Sequence, residues 1–465
     1  MKIKRVMIAA PGSGSGKTVV TCALLQMLKN EGWKTASYKC GPDYIDPMFH
    51  ERVIHIPAKN LDTFFTGDAG TGELFLNSAK GMDFAVLEGV MGLYDGLGGV
   101  RKEGSSYHLA EVTKTPVVLV VDAKGMGRSV IPLLAGFLSY DEKHLIRGVL
   151  LNRMSEGYYK IVKPWIEKEL PIRVVGYLPE REELHFDSRH LGLFLPEEVA
   201  HVKEKLQAAA EIFSKTVSME CIKEIAEGAK ELACESEESS FTKRVAPRDG
   251  RPIIAVARDE AFCFYYADNI RLLEEAGAGI KYFSPLRDEQ LPEECHALLL
   301  GGGYPELYAR QLDANVKMRA AVRRAAEHKM PIVAECGGFM YLHSFLKDPK
   351  GVCYNMVGVI PATCFYTGKL VRFGYVELRE RNAHFLPDKA AIKGHEFHYY
   401  DSTYNGADVL AVKPATGKAY LCIVQNQTQW LGFPHLYYPS NPAFADALVR
   451  KAAEYKKEYN RRGGA

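Results

Sequence analysis

The stretch that decides the fold is Pro11-Gly12-Ser13-Gly14-Ser15-Gly16-Lys17-Thr18, which follows an apolar run and precedes an amphipathic one. Glycines let the backbone curl so that its N–H groups face one phosphate. The helix that follows adds its dipole, Lys17 adds a point charge, and the Thr18 hydroxyl is a ligand for Mg²⁺. Although Pro11 replaces the first Gly of the common pattern, this combination predicts a nucleotide-binding loop rather than a plain turn. The residues expected to contact ATP here are Gly12, Gly14, Gly16, Lys17 and Thr18.

The first half of the chain alternates short apolar runs with amphipathic stretches such as Lys17–Asn30 and Gly157–Glu169. This alternation predicts an α/β domain with a parallel sheet and helices on both faces. We expect strands at Lys4–Ala10, Thr35–Lys39, Phe84–Glu88, Val117–Asp122, Gly148–Asn152 and Val174–Leu178.

An acidic, Ser-rich run at 235–240 and a segment with Pro and Gly at 245–252 are typical of a solvated linker. We therefore predict a P-loop domain at 1–240, a linker at 241–252 and a second α/β domain at 253–465. The strands expected in the second domain are Ile253–Ala257, Ile280–Phe283, Ala297–Leu300, Pro331–Ala334, Leu370–Leu378, Leu421–Val424 and Gln429–Phe433.

The composition excludes several classes of protein. With 59 Lys and Arg against 57 Asp and Glu, the net charge of +2 gives no general attraction to nucleic acid or to an anionic membrane surface. No apolar run approaches the ~18–20 residues of a membrane span, and the N-terminus is typical of a strand rather than a signal peptide. The ten cysteines form no Cys-x-x-Cys pair, which favours a reducing cytoplasm over a zinc knuckle.

Carboxylates follow two of the predicted strands. Glu88 ends one strand, and Asp43 and Asp46 follow the strand that ends at Lys39. Ligands gather at the carboxyl ends of strands in an open sheet, so we predict that Thr18, Asp46 and Glu88 bind Mg²⁺. The alternative is that these loop carboxylates are solvated or only cap and brace their loops.

Asp43, Tyr44 and Asp95 lie on the same loops and are further candidates for this site. Because a residue before proline disfavours helix, Pro47 predicts that Asp43 and Asp46 lie on an ordered loop. Asn152 ends another strand, where its amide reads a base edge or only shapes a turn.

Five ordered segments carry a resemblance: Gly-Lys-Thr, Gly-Pro-Asp-Tyr-Ile-Asp-Pro, Glu-Gly-Val-Met-Gly-Leu-Tyr-Asp-Gly, Val121-Asp122-Ala123-Lys124-Gly125 and Arg189-His190-Leu191-Gly192-Leu193. Together they resemble the cobyrinic acid a,c-diamide synthase family, which belongs with the dethiobiotin synthetase-like P-loop ligases. The resemblance runs through nearly all of the first 195 residues.

A second candidate site begins where the strand at 331–334 runs into Glu335-Cys336-Gly337-Gly338. A cysteine between a strand and a helix predicts a nucleophile elbow, in which the helix N-terminus stabilises the thiolate. The N–H of Gly337, with those of Gly302 and Gly303 after another strand, would form an oxyanion hole.

The cysteine needs a base, and the sequence offers two positions for it. His435 lies 435 − 336 = 99 residues after Cys336, and the segment Gly394-His395-Glu396-Phe397-His398-Tyr399 is the rival. The spacing of the residues does not decide between these two candidate bases.

The second domain also carries a resemblance, to the glutaminase domain of the same family. The segments that carry it are Gly-Gly-Gly-Tyr-Pro-Glu, Ala-Glu-Cys-Gly-Gly-Phe-Met-Tyr-Leu, Gly-His-Glu-Phe-His-Tyr and Gly-x-x-His. The resemblance implies that His435 activates Cys336.

Triad amidotransferases generally carry Glu two residues after this histidine, where Tyr437 stands here, so the third member is open and a dyad is one outcome. The resemblance implies an enzyme that amidates the a and c carboxylates of a corrinoid with MgATP and glutamine, with the synthetase at 1–240 and the glutamine amidotransferase at 253–465. In that chemistry Asp43 is expected to place the substrate carboxylate or the incoming ammonia, and Tyr44 and Asp95 to serve the substrate or the coupling of the reaction. The alternatives are the same chemistry on another tetrapyrrole, such as hydrogenobyrinate or nickel-sirohydrochlorin, or a P-loop switch ATPase. The expected partners are these small molecules, without nucleic acid or membrane; a homodimer is the assembly considered.

Overall fold

The structure is a computed structural model that describes residues 2–184, 196–233 and 250–461, and only the backbone of 196–201. Most of the expected linker and the whole motif at 189–193 lie outside the described residues. The chain divides into two compact units, one within residues 1–240 and one within 241–465, which we describe separately.

The first unit is built on one seven-stranded sheet in the order β3-β2-β4-β1-β5-β6-β7, and every pair of neighbours is parallel. The expected parallel sheet is therefore confirmed, and β3 is the strand that the sequence pattern did not reveal. The strands are β1 (Lys4–Ala9), β2 (Thr35–Cys40), β3 (Ala58–Leu61), β4 (Phe84–Glu88), β5 (Val117–Asp122), β6 (Ile146–Asn152) and β7 (Arg173–Leu178).

Helices cover this sheet and bury its apolar faces. Val6, Val86 and Val118 from three adjacent strands share one buried cluster with Leu24 and Phe213 from two helices. Burial of such side chains contributes about 1.5–3 kcal/mol each. The helices are α1 (Lys17–Asn30), α2 (Ile45–Phe49), α3 (Thr63–Ala79), α4 (Ser106–Val112), α5 (Val130–Tyr140), α6 (Glu156–Glu169), α7 (Pro196–Thr216) and α8 (Met219–Glu227).

The second unit contains three sheets. A six-stranded sheet, β20-β21-β11-β10-β8-β9, is parallel except at β20, and sheets of four (β13-β12-β14-β17) and five strands (β19-β18-β15-β16-β22) complete it. The strands are β8 (Ile253–Ala257), β9 (Gly279–Phe283), β10 (Cys295–Leu300), β11 (Ile332–Glu335), β12 (His343–Lys347), β13 (Cys353–Asn355), β14 (Ile360–Tyr366), β15 (Arg372–Glu380), β16 (Ala391–His398), β17 (Tyr400–Ser402), β18 (Val409–Val412), β19 (Ala419–Cys422), β20 (Val424–Gln425), β21 (Gln429–Gly432) and β22 (His435–Leu436).

The six-stranded sheet is buried on both faces, because Leu298 and Leu300 enter one core cluster while Leu299 enters another. The expectation of a single strand over 421–424 is wrong, since Ile423 has φ 65° and separates β19 from β20. A β-branched residue in this left-handed region breaks a strand. The helices are α9 (Ala267–Glu275), α10 (Ala309–Ala314), α11 (Val316–Glu327), α12 (Gly337–Leu342) and α13 (Ala443–Arg461).

None of the helices within the described ranges combines the length and the apolar character that a membrane crossing requires.

Candidate active sites

The glycine-rich loop of the first unit joins β1 to α1. Gly14 and Gly16 have φ of 77° and 93°, and Gly16 caps α1. A Cβ added to Gly12 or Gly14 would meet no atom within 4 Å, so the space above the loop is open. The loop thus offers backbone N–H groups, a helix N-terminus and free volume for phosphate.

Lys17 folds back over this loop. Its Nζ donates hydrogen bonds to the carbonyls of Gly12 (3.1 Å) and Met91 (2.5 Å). Burial, and then the charge of Lys39, lower the pKa of Lys17 to about 8. A phosphate at this position would replace the carbonyl contacts with a charge-assisted one.

Asn152 lies under the loop, where its Nδ2 donates to the carbonyl of Ser15 at 2.9 Å. A Cβ on Gly16 would lie 2.2 Å from the same Nδ2, so the amide fixes the loop closely. The expected contact of Asn152 with a base edge stays a prediction.

Lys39, which the sequence reasoning did not select, is the centre of the acidic cluster. Its Nζ pairs with Asp46, with Glu88 Oε1 at 2.9 Å and with Asp43 Oδ2 at 4.0 Å. Burial alone would lower the pKa of Lys39, but the three carboxylates outweigh it and raise that pKa well above its usual value. Its polar side chain at the end of the fully buried strand β2 was the available signal.

Glu88 connects this cluster to the loop. Its Oε1 also accepts a hydrogen bond from the Thr18 hydroxyl at 2.8 Å, and its Oε2 lies 3.6 Å from His50 Nε2. Oε2 is buried and accepts no hydrogen bond among the described residues. Burial, and then the charge of Asp46, raise the pKa of Glu88 to about 7. A carboxylate with an unused buried oxygen beside a hydroxyl suits a cation better than it suits a plain core.

The residues expected to bind Mg²⁺ therefore stand together. No group of three His, Cys, Asp or Glu side chains that would hold a metal alone occurs within the described ranges. Mg²⁺ in nucleotide sites usually takes one or two carboxylates, with phosphate and water as the other ligands. Thr18, Asp46 and Glu88 fit that kind of donor set.

The position of Pro47 predicted an ordered loop for both Asp43 and Asp46. The structure shows that this segment is not a loop throughout. Asp46 lies in the first turn of α2, where a proline's missing N–H costs no hydrogen bond. Asp43 Oδ1 accepts from the N–H groups of Ile45 (2.8 Å) and Asp46 (3.3 Å), so it caps this helix. Burial, and then repulsion by Asp46, raise the pKa of Asp43 above its usual range, whereas Lys39 outweighs burial and lowers that of Asp46.

Asp95 and Tyr44 are the two remaining residues expected at this site. Asp95 Oδ2 accepts from the N–H of Gly92 at 2.9 Å. A Cβ on Gly92 would lie 2.7 Å from the carbonyl of Pro11, which brings this turn against the phosphate loop. Tyr44 is buried beside the start of α2.

In the second unit, Cys336 occupies the junction between β11 and α12 with φ 48° and ψ −103°. This is strained backbone for a residue other than glycine, and such strain persists where the surroundings enforce it. Burial, and then the charge of Glu306, raise the pKa of the thiol far above its usual value. The expected stabilisation of the thiolate by the N-terminus of α12 stays a prediction, because burial favours the neutral thiol at rest.

Glycines bring the two halves of this site into contact. A Cβ on Gly302 would lie 2.3 Å from Cε1 of His435, and one on Gly337 would lie 3.2 Å from the backbone nitrogen of Gly303. Gly302, Gly303 and Gly337 thus lie between the elbow and the histidine, as an oxyanion hole requires, but their role stays a prediction.

Both candidate bases lie here, since His395 on β16 pairs with His435 on β22 and the rings stack at 5.0 Å. Burial, and then the charge of His395, lower the pKa of His435 well below its usual value, so the imidazole is neutral at rest. The Oε2 of Glu335 lies 4.0 Å from Nδ1 of His435. The hydroxyl of Tyr437 donates to Asp268 at 3.4 Å.

Two families match this chain. Residues 6–193 match the CobQ/CobB/MinD/ParA nucleotide binding domain, and residues 253–432 match the CobB/CobQ-like glutamine amidotransferase domain. The expected α/β fold with two such units is confirmed by these matches.

Curated relatives span nearly the whole chain. A cobyrinate a,c-diamide synthase of Priestia megaterium is 35% identical over 465 residues, covering 98% of this chain and 99% of the relative. Those of Caldanaerobacter subterraneus and Dehalococcoides mccartyi are 38% and 37% identical and cover 92% and 97% of this chain, and 94% and 98% of their own length. With a phosphate loop in one unit and a cysteine elbow in the other, this chain belongs to the cobyrinate a,c-diamide synthase family.

Proposed function

We propose that this chain uses ATP and ammonia from glutamine to convert the a and c side-chain carboxylates of cobyrinate into carboxamides. The observation that carries the proposal is that one chain holds both a phosphate loop beside buried carboxylates and a cysteine elbow beside a histidine. A nucleotide switch has no use for the second site, which argues against the P-loop switch ATPase.

In the glutaminase half, Cys336 gives its proton to His435 and the thiolate attacks the side-chain amide of glutamine. N–H groups of Gly303 and Gly337 receive the oxyanion, and the imidazolium returns the proton to the leaving ammonia. Water then hydrolyses the thioester to glutamate and regenerates the thiol. The neutral resting state of His435 suits it to accept the proton.

In the synthetase half, the loop backbone and Lys17 hold the β- and γ-phosphates of ATP. A substrate carboxylate attacks the γ-phosphorus, ADP leaves, and ammonia displaces phosphate from the acyl phosphate to form the amide. ATP is required because a carboxylate has no usable leaving group at neutral pH. When bound, Mg²⁺ would neutralise phosphate charge, and Thr18, Asp46 and Glu88 are the residues that would hold it. Lys39 favours the ionised forms of Asp46 and Glu88, although burial still raises the pKa of Glu88.

Cys336→Ser tests the division of labour. The variant is expected to lose glutamine-dependent amidation and to keep ammonium-dependent amidation, because ammonia from solution bypasses the glutaminase reaction. Mass spectrometry of cobyrinate after incubation with ATP and each nitrogen donor measures one or two new amide groups. Equal loss with both donors would contradict the assignment of Cys336. Amidation of hydrogenobyrinate or nickel-sirohydrochlorin in place of cobyrinate would keep the chemistry and change the substrate.

The small molecules that the proposed enzyme binds are ATP, glutamine and a corrinoid. Nine cysteines of the described ranges are free thiols, which agrees with a cytoplasmic enzyme.

A further inference from the structure

A carboxylate lies beside His435, although not at the position where triad amidotransferases place one. Tyr437 occupies that position, and its hydroxyl binds Asp268. Glu335, the residue directly before Cys336, places Oε2 at 4.0 Å from Nδ1 of His435. We propose that Glu335 is the third member of the glutaminase site and acts as a positioning residue that orients His435 and stabilises its protonated form.

The sheet fixes this arrangement. Glu335 ends β11 and pairs with Gly432 at the end of the parallel strand β21, three residues before His435. The N–H of Leu436 donates to the Glu335 carboxylate, so this side chain contacts two consecutive residues of the histidine segment. Because β11 also leads into Cys336, one strand end determines the position of the nucleophile and of the carboxylate.

The Glu335 carboxyl group is also only half satisfied at rest. Its side chain is only 6% exposed, and Oε1 accepts no hydrogen bond among the described residues. A buried carboxylate of this kind costs free energy unless a donor or a cation reaches it. An imidazolium at His435 would supply that cation. Burial raises the pKa of Glu335 to about 8, and a cation nearby would lower it again.

The other charged groups near His435 are already engaged. Asp268 pairs with Arg271 at 3.1 Å, and Glu396 pairs with Lys413 at 3.0 Å and Arg372 at 3.5 Å. The remaining titratable neighbours are His395 and His398 on β16, with Tyr265 and Tyr438 beside Glu335. Glu396 also favours a proton on His435, but Lys413 and Arg372 already share its charge, so we assign the response to Glu335, which lies 4.0 Å from Nδ1.

The chemical step is a proton transfer. The thiol proton of Cys336 moves to Nε2 of His435, and Nδ1–H then faces the Glu335 carboxylate. The carboxylate fixes which nitrogen keeps its proton and opposes the collapse of the thiolate–imidazolium pair. The same proton later leaves on ammonia, so the cycle is balanced. This inference rests on the proposed glutaminase function.

Glu335→Gln keeps the shape of the side chain and removes its charge. At pH 8.5, above the pKa of about 8 that burial gives the parent carboxyl group, we expect kcat for glutamine-dependent amidation to fall at least tenfold. KM for glutamine should stay within twofold, and ammonium-dependent amidation should stay unchanged. Tyr437→Phe is the matched control, since it removes the hydroxyl at the rival position, and it should keep parental kinetics. A Glu335→Gln kcat within twofold of the parent, or a tenfold loss in Tyr437→Phe, would overturn the proposal.

A double-mutant cycle shows whether Glu335 acts through His435. The readout is the rate at which iodoacetamide alkylates Cys336, followed by peptide mass spectrometry, because this rate is measurable without turnover. The charge of Glu335 by itself raises the pKa of the Cys336 thiol, as that of Glu306 does. In the parent, Glu335→Gln should still slow alkylation at least tenfold, because the lost support of His435 outweighs this direct repulsion. In His435→Ala only the repulsion remains, so the same change should not slow alkylation. Equal slowing in both backgrounds would mean that Glu335 acts independently of His435 and would refute the proposal.

A spectroscopic test needs no variant of Glu335, so it remains informative if Glu335→Gln does not fold. The Nδ1–H of His435, identified by its disappearance in His435→Ala, should show a low-field proton resonance once Cys336 is alkylated at low pH. A resonance at the position of a water-exposed imidazolium would contradict the proposal. If Cys336→Ser keeps glutamine-dependent amidation, the proposed function itself fails, which is a different result from any of these.

Discussion

The two active sites use the same local pattern, a strand followed by glycines and a helix, for opposite purposes. Above Gly12 and Gly14 in the first unit there is open space. In the second unit a Cβ on Gly338 would lie 2.1 Å from the carbonyl of Leu300. Gly12 and Gly14 of the first loop leave room for a ligand, whereas Gly338 of the second site lets two backbone segments touch. The first set should therefore matter to binding and the second to folding.

The largest effect is expected for Lys17→Ala in the open loop. Removing the ammonium that neutralises phosphate charge should lower amidation at least about 100-fold with either nitrogen donor. Initial rates with glutamine and with ammonium measure this. Glutamate release without ATP should survive at a low level, because that chemistry belongs to the second unit. Loss with glutamine alone would contradict the assignment of Lys17 to ATP.

Gly338→Ala tests the crowded site. The added methyl group has to displace the Leu300 carbonyl, and overpacking of this kind costs about 1–3 kcal/mol. Hydrogen exchange of the amides in β10 and α12 should become faster, and glutaminase activity should fall sharply. Gly12→Ala is the matched control in the open loop, where exchange of α1 should stay parental while ATP binds more weakly. Equal destabilisation by both changes would remove the distinction between the two sites.

Asp43→Asn separates charge from capping in the first unit. The amide oxygen of Asn can still accept from the N–H of Ile45, so α2 should keep its cap. If the carboxylate places substrate or ammonia, kcat should fall at least tenfold, which is about 1.4 kcal/mol. Steady-state kinetics with glutaminase activity as the control measures this. A turnover number within a few-fold of the parent would make Asp43 a structural cap.

The smallest effect concerns Glu306, whose charge raises the pKa of the Cys336 thiol. Burial raises the pKa of Glu306 to about 7, so the carboxyl is neutral at pH 6 and negative at pH 8.5. Glu306→Gln removes that charge and should speed alkylation of Cys336 about threefold or more at pH 8.5, with no change at pH 6. Glu289→Gln, an exposed carboxylate paired with Lys317, is the control. Equal acceleration at both pH values would exclude a charge effect.

Sequence patterns predicted what depends on local order along the chain. Apolar runs predicted the buried strands β1, β4 and β5, and the residue types of the glycine-rich loop predicted that loop. The strand β16 was not predicted, because Gly394, His395 and Glu396 interrupt the alternation of apolar and polar residues that indicates a strand. The strand β3 was not predicted either, because its four residues do not form an apolar run.

Sites that depend on contacts between distant segments were harder to foresee. Lys39 approaches Glu88, 49 positions away, and nothing in either local sequence indicates that pairing. The neighbour relation between Glu335 and His435 likewise follows from β11 pairing with β21. The cap that Asp43 gives to α2 needed the path of the backbone, because Pro47 suggested a loop.

The buried ammonium of Lys39 has a consequence for the Mg²⁺ site proposed above. Three carboxylates that would otherwise repel one another already share a resident cation, so the first unit needs no divalent ion to hold its shape. Free Mg²⁺ has to compete with that covalently attached charge, whereas Mg²⁺ bound to ATP brings phosphate oxygens of its own. We therefore expect Mg²⁺ to arrive and depart with the nucleotide, so that a chelator should stop the reaction without loosening the fold.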